Sequence, residues 1–182
     1  IDMVSFSQPS ETQYSVNLVV SNGVLIGPDC SSQGDAVAAY DVRTGDQRWR
    51  LETGAPLAQL MELDKSTLGV ALLGGEFRIV DASAGRMRMQ TRVPDAQVVT
   101  DGVLSESTLI LQHTRMAGAG RLRQMTAMDV STEDVLWYEP IAPVERWNQP
   151  VRMIGRSVVL VFERPLPPQN PSLPLSIVLV DY

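Results

Sequence analysis

Short apolar runs broken by Gly, Asn, Asp and Ser recur along the whole chain. Val16–Val20 and Val24–Ile26 flank Ser21-Asn22-Gly23, and Asn-Gly between apolar runs predicts a tight hairpin. Leu57–Leu63 and Leu68–Leu73 flank Asp64-Lys65-Ser66 in the same way. Ala96–Thr100 pairs with Thr108–Leu111, and Val151–Ile154 with Val158–Phe162 across Gly155-Arg156. No stretch keeps a helical apolar period for ~10 residues between caps, so strands alone are expected.

A third run follows each pair and ends in aspartate: Asp41, Asp81, Asp129 and Asp181, about 40–50 residues apart. A carboxylate at a strand end can accept hydrogen bonds from N–H groups two and three residues on, closing an Asx-type turn. Gly45 and Gly85 stand four residues after their aspartates and supply the left-handed conformation of a tight turn, while Glu133 holds that place in the third copy. Trp49, Met89 and Trp137 follow the aspartates by eight residues, on the returning strand. Each unit therefore reads as four short antiparallel strands, at 14–52, 57–92, 96–139 and 151–182, the last incomplete. Such units in series predict an all-β protein, a single partial β-propeller domain of about four blades.

The run Ala39-Tyr40-Asp41-Val42-Arg43-Thr44-Gly45-Asp46-Gln47-Arg48-Trp49 resembles the blade motif of quinoprotein-like (PQQ-repeat) β-propellers. The second copy keeps Asp81 and Gly85, with Ala84 for Thr and Met89 for Trp. The third keeps Asp129, Thr132 and Trp137 without the glycine. The resemblance implies that the Asp turns join the last two strands of each blade and that the Trp docks between blades. It implies a ring of about seven or eight blades, so the chain is expected to be a fragment or to be completed in trans. A small ring closed by Ile1–Ser7 as the missing outer strand is the further option.

Composition narrows the function classes. A net charge of −6 and a pI near 4.8 lack the basic stripe of a nucleic-acid module. One Cys and one His exclude an internal disulfide framework, a cysteine-based zinc site and a multi-histidine centre. No apolar run reaches the ~18–20 residues of a membrane span, so no transmembrane segment is expected in this chain. No signal peptide is visible at Ile1, which is not a Met.

The second-to-third-strand connections differ in length: Gly74-Gly75 in the second unit, but Gly27–Ala36, His113–Arg123 and Glu163–Leu175 in the others. In a propeller these loops share one face, and insertions gathered there mark a candidate binding face. His113, Arg115, Arg121 and Arg123 would form a basic loop for an anion or acidic partner, or a solvated hairpin. Arg164 opens a proline-rich loop that is either a polyproline II ligand or a stiff crossing. Trp147, in a link between units, is a partner anchor or a packed link. Asp41, Asp81, Asp129 and Asp181 read as turn formers and not as metal ligands. His113 has no sequence-level partner, Cys30 lies in a loop, and no nucleophile elbow is present, so no catalytic, cofactor-binding or metal residue is assigned.

Two functions remain. One is a non-catalytic scaffold that binds a protein partner or the remainder of a larger propeller. The other, which the resemblance allows, is part of a quinoprotein dehydrogenase using PQQ and calcium, although the chain offers only Cys30 where many such enzymes carry adjacent cysteines. The resemblance also implies an extracytoplasmic, periplasmic home.

Overall fold

The computed structural model describes residues 18–29, 35–117, 120–141, 152–154, 157–163 and 175–181. All its regular elements are strands. The first sheet runs β1 (Val19–Ser21), β2 (Val24–Pro28), β3 (Ala36–Asp41) and β4 (Gln47–Glu52). The second runs β5 (Leu57–Asp64), β6 (Thr67–Leu72), β7 (Glu76–Asp81) and β8 (Met87–Arg92). The third runs β9 (Val98–Ser105), β10 (Thr108–Ala117), β11 (Gly120–Asp129) and β12 (Val135–Ile141). The fourth has β13 (Arg152–Ile154), β14 (Ser157–Glu163) and β15 (Leu175–Asp181) among the described residues. Every sheet is an antiparallel meander in chain order.

The first strands of successive sheets neighbour one another: β1 meets β5, β5 meets β9, and β9 meets β13. The sheets thus stand side by side as paddles with their first strands innermost and β4, β8 and β12 at the outer edge. This is the blade arrangement of a β-propeller.

The core lies between the paddles, and period-two alternation builds it. Leu60, Leu68, Val70, Leu72 and Val80 of the second sheet share one apolar cluster with Ile26, Val37 and Ala39 of the first. Met61, Leu63, Phe77 and Ile79 share another with Val99, Leu109 and Leu111 of the third. The second sheet is covered on both faces, so every residue of β6 is buried. Each such apolar side chain contributes about 1.5–3 kcal/mol by leaving water. Gly69 sits in the middle of β6 because a Cβ there would stand 2.8 Å from the Phe77 ring and 2.7 Å from Met61 Cγ.

Two boundaries differ from the sequence expectation. β9 begins at Val98 and not Ala96, because Val93–Ala96 forms a turn (Ala96 N to Val93 O, 3.2 Å) with Asp95 left-handed at φ 57°. The stretch 113–123 is a hairpin and not a loop. The ladder continues through His113↔Gln124, Thr114↔Arg123 and Arg115↔Leu122 to Ala117↔Gly120. Backbone pairing satisfies the main chain there whatever the polarity of the side chains.

Candidate functional site

The repeated aspartates build the turns between the last two strands of three sheets. Asp41 Oδ1 accepts from the N–H groups of Arg43 (2.8 Å) and Thr44 (3.1 Å), and Gly45 N–H donates to the Asp41 carbonyl at 2.8 Å with φ 77°. Asp81 Oδ1 accepts from Ser83 N (3.0 Å), Ala84 N (3.1 Å) and the Ser83 hydroxyl (2.6 Å). Asp129 Oδ1 accepts from Ser131 N (2.7 Å) and Thr132 N (3.2 Å). Glu133 takes the glycine's place at φ 62°, an uncommon conformation for a side-chain-bearing residue.

Two of the three carboxylates gain an arginine seven residues on. Arg48 pairs with Asp41, and Arg88 with Asp81 at 2.5 Å. The Arg48 guanidinium, with the two backbone donors, lowers Asp41 to about 2. The Ser83 hydroxyl and then Arg88 hold Asp81 well below the usual carboxylate range. Asp129 is lowered chiefly by the Ser131 and Thr132 N–H groups. At its arginine position the chain has Leu136.

The residues eight after the aspartates act between sheets. The Trp49 indole N–H donates to the Ala82 carbonyl of the second sheet at 3.0 Å. Its ring lies against Gly85, where a Cβ would come within 2.6 Å of it. Only glycine admits that approach. Met89 is buried in the cluster that Val130 of the third sheet joins. Trp137 is half-buried. Asp181 ends β15 opposite Ser157 in the backbone register.

The basic loop expected at 113–123 does not converge on one site. His113 is fully buried, and its Nε2 lies 2.9 Å from the Thr126 hydroxyl across the hairpin. Burial pushes its imidazole below the ordinary value. Arg115 shares the His113 face of the hairpin, whereas Arg123, opposite Thr114, belongs to the other face. The two arginines therefore cannot cradle one anion. Arg121 lies on β11. Trp147 and Arg164 lie outside the described residues, as does Cys30.

The sequence reading passed over β12. It carries Val135, Leu136 and Tyr138 at 40%, 52% and 68% exposure beside Trp137. The same strand in the first two sheets carries Arg48 and Arg50, or Arg88 and Arg92. Four consecutive apolar residues after an Asp turn were the available signal.

Calcium and PQQ, which the fold family brings into question, require converging oxygen donors for the metal. Among the described residues no three His, Cys, Asp or Glu side chains gather, and the repeated aspartates are engaged in their own turns. No helix among the described residues is long and apolar enough to cross a membrane.

A family model described as outer membrane protein assembly factor BamB matches residues 7–164. Among solved structures, BamB from Moraxella catarrhalis is similar at 15% identity and TM-score 0.53, covering 78% of this chain and 44% of that one. The computationally designed Ika4 protein is similar at 11% identity and TM-score 0.57, over 96% of this chain and 99% of that one. A europium-containing methanol dehydrogenase is similar at 13% identity and TM-score 0.52, over 68% of this chain and 24% of that one. At such identities these likenesses show the fold alone, and the chain spans less than half of the BamB structure. No curated protein matches it. With its Asp turns, interblade Trp49 and a family match over most of its length, the chain belongs to the PQQ-repeat, BamB-like β-propeller family.

Proposed function

We propose that this chain is a non-catalytic part of a propeller that binds protein partners during assembly, outside the cytoplasm. The observation that carries the reading is the match over residues 7–164 to a family described as an outer membrane protein assembly factor. The repeat's own chemistry agrees with it. Asp41, Asp81 and Asp129 hold turns, and Trp49 holds two blades together, so these polar residues serve architecture. The acidic balance of the chain favours neutral or basic polypeptides over nucleic acid as partners.

The test dilutes a urea-unfolded outer-membrane β-barrel protein into buffer with and without the chain and follows light scattering. Suppressed scattering near stoichiometric amounts is expected, and unchanged scattering would overturn the reading. In parallel the chain is incubated with PQQ and calcium and passed through gel filtration. The expected result is a protein peak without a quinone chromophore. A redox-active chromophore that travels with the protein would replace the scaffold by a quinoprotein dehydrogenase.

A further inference from the structure

We propose that one ordered water molecule, held by His113, Arg115 and Gln124, seals the interface between the second and third sheets beside the link that joins them. The inference is independent of the assembly reading.

The repeat itself shows what stands at this place elsewhere. Counted from the paired ends Thr67↔Asp81 and Thr108↔Asp129, Leu72, Glu76 and Arg78 of the second sheet match His113, Gln124 and Thr126 of the third. In the second sheet an ion pair closes the place. Arg78 Nε donates to Glu76 Oε1 at 2.8 Å, and its two terminal nitrogens donate to the carbonyls of Glu52 (3.1 Å) and Thr53 (2.7 Å), where the chain leaves the first sheet. Leu72 beside it is fully buried. The third sheet keeps none of these groups. Thr126 lacks the reach of an arginine, and its hydroxyl lies 2.9 Å from His113 Nε2.

Three buried polar atoms at this place, His113 Nδ1, Arg115 Nε and Gln124 Oε1, make no hydrogen bond among the described residues. Alternation puts their residues on one face. Leu111, His113 and Arg115 of β10 share it with Gln124 and Thr126 of β11, and His113 stands opposite Gln124. Leu111 packs in the cluster of Met61, Phe77 and Ile79, so this face looks to the second sheet. The link between the two sheets runs alongside. Val93 and Ala96 are buried in the same cluster, and Gln97 N–H donates to the Thr114 carbonyl at 2.7 Å.

The count of donors and acceptors selects the occupant. Arg115 Nε–H can only donate, and Gln124 Oε1 can only accept. With His113 Nε2–H donating to the Thr126 hydroxyl, Nδ1 is a second acceptor. A water molecule complements this set, because it accepts one hydrogen bond and donates two. Buried waters make about three hydrogen bonds to groups of this kind. The guanidinium repels a cation, and the two acceptor atoms repel an anion. The water thus meets in the third sheet the polar demand that Arg78 meets in the second.

The test is a high-resolution crystal structure of the chain, with a nitrogen NMR spectrum of its one histidine. The expected density is a single water within hydrogen-bond distance of His113 Nδ1, Arg115 Nε and Gln124 Oε1. The expected spectrum has His113 protonated on Nε2 alone. Gln124→Met removes one acceptor at nearly constant length and should speed exchange of the Gln97 amide about tenfold. Arg115→Met is the second variant if Gln124→Met does not fold, with the same expectation. Overturning results are no density at the place, an ion there, a direct hydrogen bond from Arg115 to Gln124, protonation of His113 on Nδ1, or unchanged exchange of Gln97 in the folded variant.

Discussion

The first two sheets and the third make the same turn with different chemistry. In the first two, the turn aspartate is clamped by an arginine seven residues on, and a glycine takes the left-handed position. In the third, Leu136 replaces the arginine and Glu133 adopts the left-handed backbone, yet Asp129 keeps both of its N–H donors. The turn therefore depends on short-range hydrogen bonds to the carboxylate. The arginine is dispensable to it, as expected for an exposed ion pair that contributes little. What the arginine changes is one place on the outer strand of the blade, charged in two sheets and apolar in the third.

The contact that the comparison makes most costly to lose is the interblade tryptophan. Trp49→Ala removes a buried ring and its hydrogen bond to Ala82, so we expect a loss of about 3–5 kcal/mol in urea unfolding. A loss under about 1 kcal/mol would mean that the first two blades do not lean on that ring.

The glycines sharpen the same point. Gly45 and Gly85 occupy equivalent turn positions with positive φ, but only Gly85 faces a ring. Gly45→Ala should cost about 1 kcal/mol from backbone conformation alone. Gly85→Ala adds a clash with Trp49 and should cost about 2–4 kcal/mol. Equal costs would remove the docking from the account. The third turn should respond in the opposite direction. Glu133→Gly relieves a left-handed residue and should raise stability by about 1 kcal/mol, read as a higher urea midpoint at constant slope.

The smallest expected effect is in acid. The Arg48 guanidinium and two backbone donors hold Asp41 down to about 2 in the folded chain against 3.8 ordinarily, so the unfolded chain binds that proton first. Its contribution is complete above about pH 4 and disappears as the pH falls toward 2. Arg48→Leu, which imitates Leu136, should raise the Asp41 pKa toward 3.8 while its backbone donors keep it below that value. Carbon-detected NMR titration of the carboxyl group checks this. An unchanged pKa would show that Arg48 does not hold the carboxylate.

How much of this was legible in the sequence depends on range. The Asp turns involve N–H groups two and three residues away, and the Asn22-Gly23 hairpin has both residues left-handed (φ 49° and 77°), so local spacing was enough. Burial of His113 depends on Thr126 across a ladder, and local composition presented the same residues as a glycine- and arginine-rich loop. Likewise the face to which each arginine belongs follows from register, which a single strand does not carry. Leu136 stands one residue before Trp137, at the place where the first two copies have Arg48 and Arg88, and so is visible in the repeat itself.

The central claim is that the Asp-turn units stand as paddles locked by Trp49, and hydrogen exchange at the indole N–H tests it most directly. If Trp49 donates to Ala82 within the blade interface, its indole proton exchanges only on opening of that interface, orders of magnitude slower than a free indole. Exchange of the Trp49 indole at the solvent rate under native conditions would contradict the arrangement.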